Sequence, residues 1–178
     1  WRSRIEGGDL TGPRIVLSGP PASGTGGPTS LPVRTADEAR SAINTLQTLG
    51  VDFVKVYEGI PLDAYFVLAD GAREAGLPFA GHVRAGTVGL LDAIRAGQRS
   101  IEHIRDALLL CFTDDPEELA VFLAEDHWSK DDVAWATSTY GQCPQVIEAL
   151  QTHDVWLTPT LVVEHARVAI EEDTFTKD

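Results

Sequence analysis

The sequence has 178 residues, enough for one domain with a buried core, and 43% of them are hydrophobic, as in ordinary globular proteins. Its formal net charge is −13, and an acidic surface repels phosphate backbones and anionic lipids, so we expect neither nucleic-acid nor membrane binding. No apolar run approaches the ~20 residues that a membrane-spanning helix needs.

Two features concern the origin of the chain. Its two cysteines, Cys111 and Cys143, are too few for a disulfide framework, which favours a cytoplasmic protein with free thiols. The chain contains no methionine and begins at Trp1, so we expect an internal piece of a longer protein and a single incomplete domain over 1–178.

The first predicted strand is "RIVLSG" at 14–19, followed by a loop over 20–33 that is rich in glycine, proline and serine. Residues 35–50 predict a helix, because Thr35 and Glu38 form a capping box and apolar residues recur on one face.

Strands and helices then alternate along the chain. Strands are predicted at 51–58, 77–83, 99–104 and 154–163, and helices at 61–76, 87–97, 116–125, 131–152 and 164–172. Short connections that carry glycine, as in αβ turns, predict parallel strands with right-handed crossovers. An open doubly wound sheet and a (β/α) barrel both fit this pattern, but no phosphate-binding glycine loop opens a helix.

Three predicted strands each carry one unusual polar residue near the C-terminal end: Lys55, His82 and His103. The C-terminal ends of successive barrel strands meet at one mouth, where barrel enzymes keep their sites, so we expect the three side chains to converge there. Two neutral imidazoles from neighbouring strands suit zinc or a similar divalent ion. The Lys55 amine would be repelled by a dication unless it reacts with carbon dioxide to form an anionic carbamate.

The segments "VDFVKVYEG", "AGLPFAGHV" and "AGQRSIEHIRD", in this order and spacing, resemble the metal-dependent amidohydrolase superfamily, most of all the branch around imidazolonepropionase and Xaa-Pro dipeptidases. The resemblance covers about 14–170, and "VWLTPTLV" is similar to the seventh strand of that branch. It implies a partial (β/α)8 TIM barrel, roughly strands 3 to 7.

The implied activity is hydrolysis of amide, peptide (Xaa-Pro dipeptide among them) or cyclic-amide C–N bonds by metal-activated hydroxide. The complete parent would hold two ions, zinc by default, with Lys55 bridging them as a carbamate and His82 and His103 binding the second ion. A small amide or dipeptide is the implied substrate.

The sequence departs from the family pattern in two ways. It contains no His-x-His, which ends the family's first strand, and we expect the eighth strand with its general-base aspartate to lie outside it. We therefore expect this chain alone to be inactive. A non-catalytic α/β binding or interaction module remains the alternative, whereas a serine hydrolase is disfavoured because no G-x-S-x-G elbow occurs.

Other polar residues have weaker signals. Tyr57 lies two positions beyond Lys55 on the same face and is a candidate substrate contact; the alternative is that it packs in the core. Arg84, beyond His82, is a second candidate substrate contact; the alternative is a solvated loop arginine. Glu102 is expected to form hydrogen bonds inside the barrel rather than to ligate metal. The remaining histidines are expected to be solvated: His127, His153 and His165. Unpaired edges of an incomplete barrel also predict a homo-oligomer.

Overall fold

The computed structural model describes residues 1–83, 87–103 and 143–162. Within them six short strands form one sheet: β1 (Ala22–Ser23), β2 (Leu31–Pro32), β3 (Val54–Val56), β4 (Phe79–His82), β5 (Ser100–Glu102) and β6 (Trp156–Thr158). The helices of this part are α1 (Arg2–Glu6), α2 (Ala36–Leu49), α3 (Leu62–Glu74), α4 (Leu90–Arg95) and α5 (Cys143–Thr152). No helix in the described ranges is long and apolar enough to cross a membrane.

The sheet is parallel throughout, and its strand order is β2-β1-β3-β4-β5-β6. Five strands follow one another in chain order, as expected for barrel strands 3 to 7, and β2 is added at the outer edge beside β1. Apart from the two-residue β2, the order runs in one direction from β1 to β6, which is how a barrel adds its strands. The predicted α/β class is confirmed, and the sheet is part of a (β/α) barrel.

Several predicted features lie outside the described residues. They are the helices at 116–125 and 164–172, the first part of the helix at 131–152, and the residues Arg84, Cys111, His127 and His165. The last part of the helix predicted at 131–152 is α5.

Helix α2 forms where the capping signals predict it. The Thr35 hydroxyl accepts a hydrogen bond from the Glu38 N–H at 3.2 Å, and the helix ends at Gly50, whose φ of 64° is left-handed. The Glu38 carboxylate accepts from the backbone N–H of Arg34 at 2.7 Å and also pairs with the Arg34 guanidinium. The Thr35 side chain therefore caps the first turn, and the Glu38 carboxylate holds the backbone just before the helix.

One face of the sheet packs against the helices. The ring of Tyr65 on α3 lies 5.2 Å from that of Phe79 on β4, and the strand register places Val54 beside Phe79 and therefore on the same face. The buried residues of this layer include Leu46, Val54, Val56, Tyr65, Leu68, Phe79 and Ile101. Because side chains alternate along a strand, the other face receives Lys55, Ala80, His82 and Glu102.

The prediction of a strand at 14–19 is wrong, and so is the prediction that 20–33 forms only a loop, because β1 and β2 lie within it. Leu17 is held by Asp52 instead of by the sheet, since its N–H donates to the Asp52 carboxylate at 2.8 Å and its carbonyl accepts from the Asp52 N–H at 2.8 Å. The strands that do form here, β1 and β2, have two residues each and carry no periodicity that a sequence pattern could reveal.

Two smaller differences concern the ends of the chain's described ranges. The last strand, predicted to reach residue 163, ends at Thr158, and residues 161 and 162 are already helical. Pro159 follows the strand and has no N–H to continue the ladder. Helix α1 was also not predicted from the sequence; there, Arg2 donates to the Asp52 carboxylate and to the Gly50 carbonyl.

Strand β4 has an irregular backbone just before His82. Gly81 adopts a φ of 139°, and a Cβ atom there would lie 2.2 Å from the Val56 carbonyl oxygen. The Gly81 carbonyl accepts a hydrogen bond from the Gln98 side-chain amide at 2.8 Å, and this amide also donates to the Ser100 carbonyl. The Tyr65 hydroxyl donates to the Gln98 amide oxygen, so the fully buried Gln98 side chain is satisfied.

We expect Gly81→Ala to destabilise the fold by about 3 kcal/mol or more, because left-handed strain and a backbone overlap act together. Gly76→Ala is the matched control: its φ of 69° is also left-handed, but an added Cβ meets nothing within 4 Å. The control should cost only about 1 kcal/mol. Chemical denaturation measures both free energies of unfolding, and equal losses would contradict the close approach of β3 and β4.

Candidate metal centre

The C-terminal ends of β3, β4 and β5 bring polar side chains onto one face of the sheet. The register pairs Lys55 with Ala80 and His82 with Glu102, so Lys55, His82 and Glu102 all point to the side away from the helices. The Glu102 carboxylate forms an ion pair with the Lys55 ammonium, and both side chains are mostly buried. Glu102 therefore forms the internal hydrogen bond expected from the sequence.

His103 reaches the same space by a change in backbone conformation. As the residue after Glu102, it would point to the opposite face in a regular strand, but its φ of 70° is left-handed. Its N–H donates to the Thr158 carbonyl at 2.9 Å, and its ring Nδ1 lies 2.9 Å from the Thr160 hydroxyl oxygen. This arrangement directs Nε2 of His103 toward Nε2 of His82, at 3.0 Å.

The two imidazoles have a geometry that suits a shared ion. Their ring centroids are 4.4 Å apart and the ring planes are nearly perpendicular. Two nitrogens bound to one tetrahedral zinc at ~2.0–2.1 Å lie about 3.3 Å apart, close to the observed 3.0 Å. In the part of the chain that the structure describes, ligand atoms of His82, Glu102 and His103 all lie within 4.8 Å of one another. This donor set fits a divalent transition metal.

Burial and nearby charge keep His82 neutral. Burial lowers its pKa to about 4, and the Lys55 charge and His103 act in the same direction. The Glu58 carboxylate, whose Oε1 lies 3.7 Å from Nδ1 of His82, opposes this shift. His82 therefore carries a free lone pair at neutral pH, which is the state that a metal ligand requires.

Lys55 lies in an environment that disfavours the charged form of its amine. Burial lowers the pKa of its amine, and its side chain is only 18% exposed. A carbamate on this amine would be an anion beside the Glu102 carboxylate, so the observed ion pair would have to separate before a carbamate formed. Beside the two neutral imidazoles, the candidates for an anionic third donor are therefore the Glu102 carboxylate and a carbamate on Lys55.

Tyr57 lies at the rim of the histidine pair rather than in the core. Its ring centroid is 4.4 Å from that of His82, with planes tilted by 44°, and it is 44% exposed. This position is open to a bound molecule, and its substrate role stays a prediction. The described histidine outside the cluster, His153, is exposed, as expected from the sequence.

Two side chains that contact the imidazoles, Glu58 and Thr160, were not predicted from the sequence. Glu58 follows Tyr57 directly, and a carboxylate one residue past a strand-end candidate is a signal that could have been used. Thr160 is separated from His103 by 57 positions, and only the pairing of β5 with β6 brings them together.

No protein-family model matches the sequence, and no curated protein matches it significantly. Solved structures do match. The chain is similar to A. niger ochratoxinase over 98% of its length and 42% of that chain, at 16% identity and a TM-score of 0.62. It is similar to the amidohydrolase of bottromycin over 69% of its length and 28% of that chain, at 22% identity and a TM-score of 0.54.

A third structure, described as an amidohydrolase, matches 89% of this chain and 51% of its own, at 18% identity and a TM-score of 0.50. This chain thus spans about half or less of the length of each structure. At these identities the likeness shows the fold alone, and at that level it confirms the predicted partial barrel and a resemblance to two structures described as amidohydrolases.

Acidification should destabilise the metal-free protein between pH 6.5 and about 4. The folded-state pKa of His82 lies below its ordinary value of 6.5, so the unfolded chain binds more protons in this range. The His82 contribution is therefore fully present above pH 6.5 and decreases as the pH falls, by on the order of 3 kcal/mol. Denaturation in the presence of a chelator at steps across this range measures it. His82→Gln should show a shallower dependence, and an unchanged slope would contradict a buried neutral His82.

Proposed function

We propose that this chain, which has the fold of the amidohydrolase superfamily, forms part of the metal centre of a metal-dependent hydrolase that cleaves amide C–N bonds. The observation that supports this most directly is the 3.0 Å separation of the His82 and His103 Nε2 atoms at the ends of adjacent parallel strands. Barrel enzymes keep their catalytic groups at this end of the strands.

His82 and His103 would hold one divalent ion, with zinc as the first choice for two imidazoles and an oxygen donor. The bound ion would supply a hydroxide nucleophile at neutral pH and polarise the amide carbonyl. Lys55, as a carbamate, would bridge this ion to the other ion of the pair in the complete parent. Carbon dioxide is then a second requirement of the site, and burial of the Lys55 amine assists its reaction by favouring the neutral form.

The proposed substrate is a small amide, an Xaa-Pro dipeptide or a cyclic amide. Tyr57 would contact it at the rim, where its half-exposed ring already packs against His82. Arg84 is proposed to pair with a substrate carboxylate, because a guanidinium binds a carboxylate in a bidentate manner. The sequence contains no His-x-His to bind the other ion, the first ion of the family's metal pair, so we propose that this chain alone binds metal without turnover.

Zinc binding tests the proposal. After removal of metal with a chelator, titration with zinc against a chromophoric competitor should show one site in the unaltered chain, and elemental analysis should give the same stoichiometry. His82→Ala and His103→Ala should each weaken zinc binding by at least about 10-fold, since each removes a ligand. His153→Ala, at an exposed histidine outside the cluster, is the matched control and should bind zinc normally.

The same titration separates the two candidates for the third donor. Glu102→Gln should weaken binding if its carboxylate ligates the ion, whereas Lys55→Met should weaken binding only in bicarbonate buffer if the carbamate does so. A folded chain that binds no zinc, or equal binding by the histidine variants, would overturn the metal centre and favour a non-catalytic interaction module.

We also propose that the isolated chain self-associates. Strands β2 and β6 form the edges of the described sheet, and Trp156 on β6 is 71% exposed on the face away from the helices. Unpaired strand edges and exposed apolar surface favour pairing with a second copy.

Sedimentation velocity at increasing protein concentration should therefore show a shift toward dimers or larger species. Trp156→Lys should reduce this shift, because a charge on an edge strand opposes strand pairing. Leu49→Lys, at an exposed apolar residue at the end of α2, is the control and should leave it unchanged. A monodisperse monomer at all concentrations would contradict the proposal.

A further inference from the structure

Thr160 and His103 form an unusual pair. The Thr160 hydroxyl oxygen lies 2.9 Å from Nδ1 of His103, and both residues have left-handed backbones, with φ values of 49° and 70°. Such a conformation is unfavourable for a non-glycine residue and persists only where the surrounding structure holds it. The pair thus joins two strained positions from the ends of neighbouring strands, β5 and β6.

The surroundings of the two rings indicate where their protons lie when no metal is bound. A carboxylate oxygen of Glu58 is 3.7 Å from Nδ1 of His82, which favours a proton on that nitrogen over a lone pair that faces a negative oxygen. Nε2 of His82 is then an acceptor. The proton between the rings, across 3.0 Å, therefore belongs to Nε2 of His103, and the Thr160 hydroxyl donates to Nδ1 of His103.

We propose that Thr160 is a positioning residue that reverses the direction of its hydrogen bond to His103 when a metal ion binds; this inference rests on the proposed function. Nε2 of His103 must lose its proton to become a ligand. The neutral ring keeps one proton by carrying it on Nδ1 instead, so no proton is released in total. The Thr160 hydroxyl then rotates and accepts from Nδ1–H.

A hydroxyl suits this position because it both donates and accepts. A carboxylate or a backbone carbonyl at the same place could only accept, and would fix His103 as the Nδ1–H form before any metal arrived. Thr160 thus holds the orientation of the His103 ring in both states. The hydrogen bond from the His103 N–H to the Thr158 carbonyl holds the main chain of His103.

Long-range ¹⁵N–¹H NMR of the histidine rings tests the proposal, together with zinc titration of the full chain. Metal-free, unaltered protein should show the Nε2–H form of His103, and added zinc should convert it to the Nδ1–H form. Thr160→Val removes the hydroxyl and keeps the branched shape, so it should weaken zinc binding about 10- to 100-fold. Thr160→Ser should restore most of this loss. Thr158→Val is the matched control, since its hydroxyl lies 3.5 Å from that of Ser100 and the substitution keeps the backbone carbonyl that accepts from the His103 N–H.

The outcomes separate the two levels of the inference. If the unaltered chain binds no zinc, the proposed function and the reversal both fail. If it binds zinc and Thr160→Val binds equally well, or if His103 is already the Nδ1–H form without metal, the role of Thr160 alone is overturned. A loss in Thr160→Val that Thr160→Ser does not rescue, or that Thr158→Val shares, indicates a general packing defect and likewise overturns it.

Discussion

The alternation of side chains in a parallel sheet is the constraint from which the site follows. Val54 and Phe79 are buried against the helices, and this burial fixes the register of β3 on β4. A slip by one residue would turn these apolar side chains to the face of the sheet away from the helices, the open face, at a cost of roughly 1.5–3 kcal/mol for each. Since Lys55 and His82 lie on the strands between such residues, the same apolar packing fixes the face on which they meet. The chemistry of the open face thus depends on the hydrophobic layer behind it.

Regular strands alone would not complete the cluster. Alternation would direct His103 away from His82, and only its left-handed backbone returns the ring to the open face. Gly81 supplies a second irregularity next to His82, with its carbonyl held by the buried Gln98 side chain. Strained or irregular positions concentrate where a structure must aim particular side chains. Here they lie beside both imidazoles, within a sheet that is otherwise regular and parallel.

Elements held by interactions between residues close in sequence were predicted well, and elements held by contacts between distant residues were not. Helix α2 was predicted closely because Thr35 and Gly50 act on their own helix ends, within a few residues. The strands β3, β4 and β5 were found because their apolar residues recur locally, although each is shorter in the structure than its pattern. By contrast, β1 and β2 exist only through pairing with each other and with β3, and two residues carry no period. The Thr160 contact to His103 depends on the β5–β6 pairing and has no local signal at all.

Lys55 interacts with the other members of this cluster through its charge. Without metal, its ammonium lies against the Glu102 carboxylate and helps to keep His82 neutral. A dication at the two imidazoles would repel this ammonium and attract the same carboxylate, so the lysine and the ion compete for Glu102. Burial already disfavours the charged amine, which makes its neutralisation less costly than on the surface. A neutral amine is also the form that reacts with carbon dioxide. Under the proposed function, binding of the ion and formation of the carbamate would therefore favour each other, and the intact ion pair would oppose both.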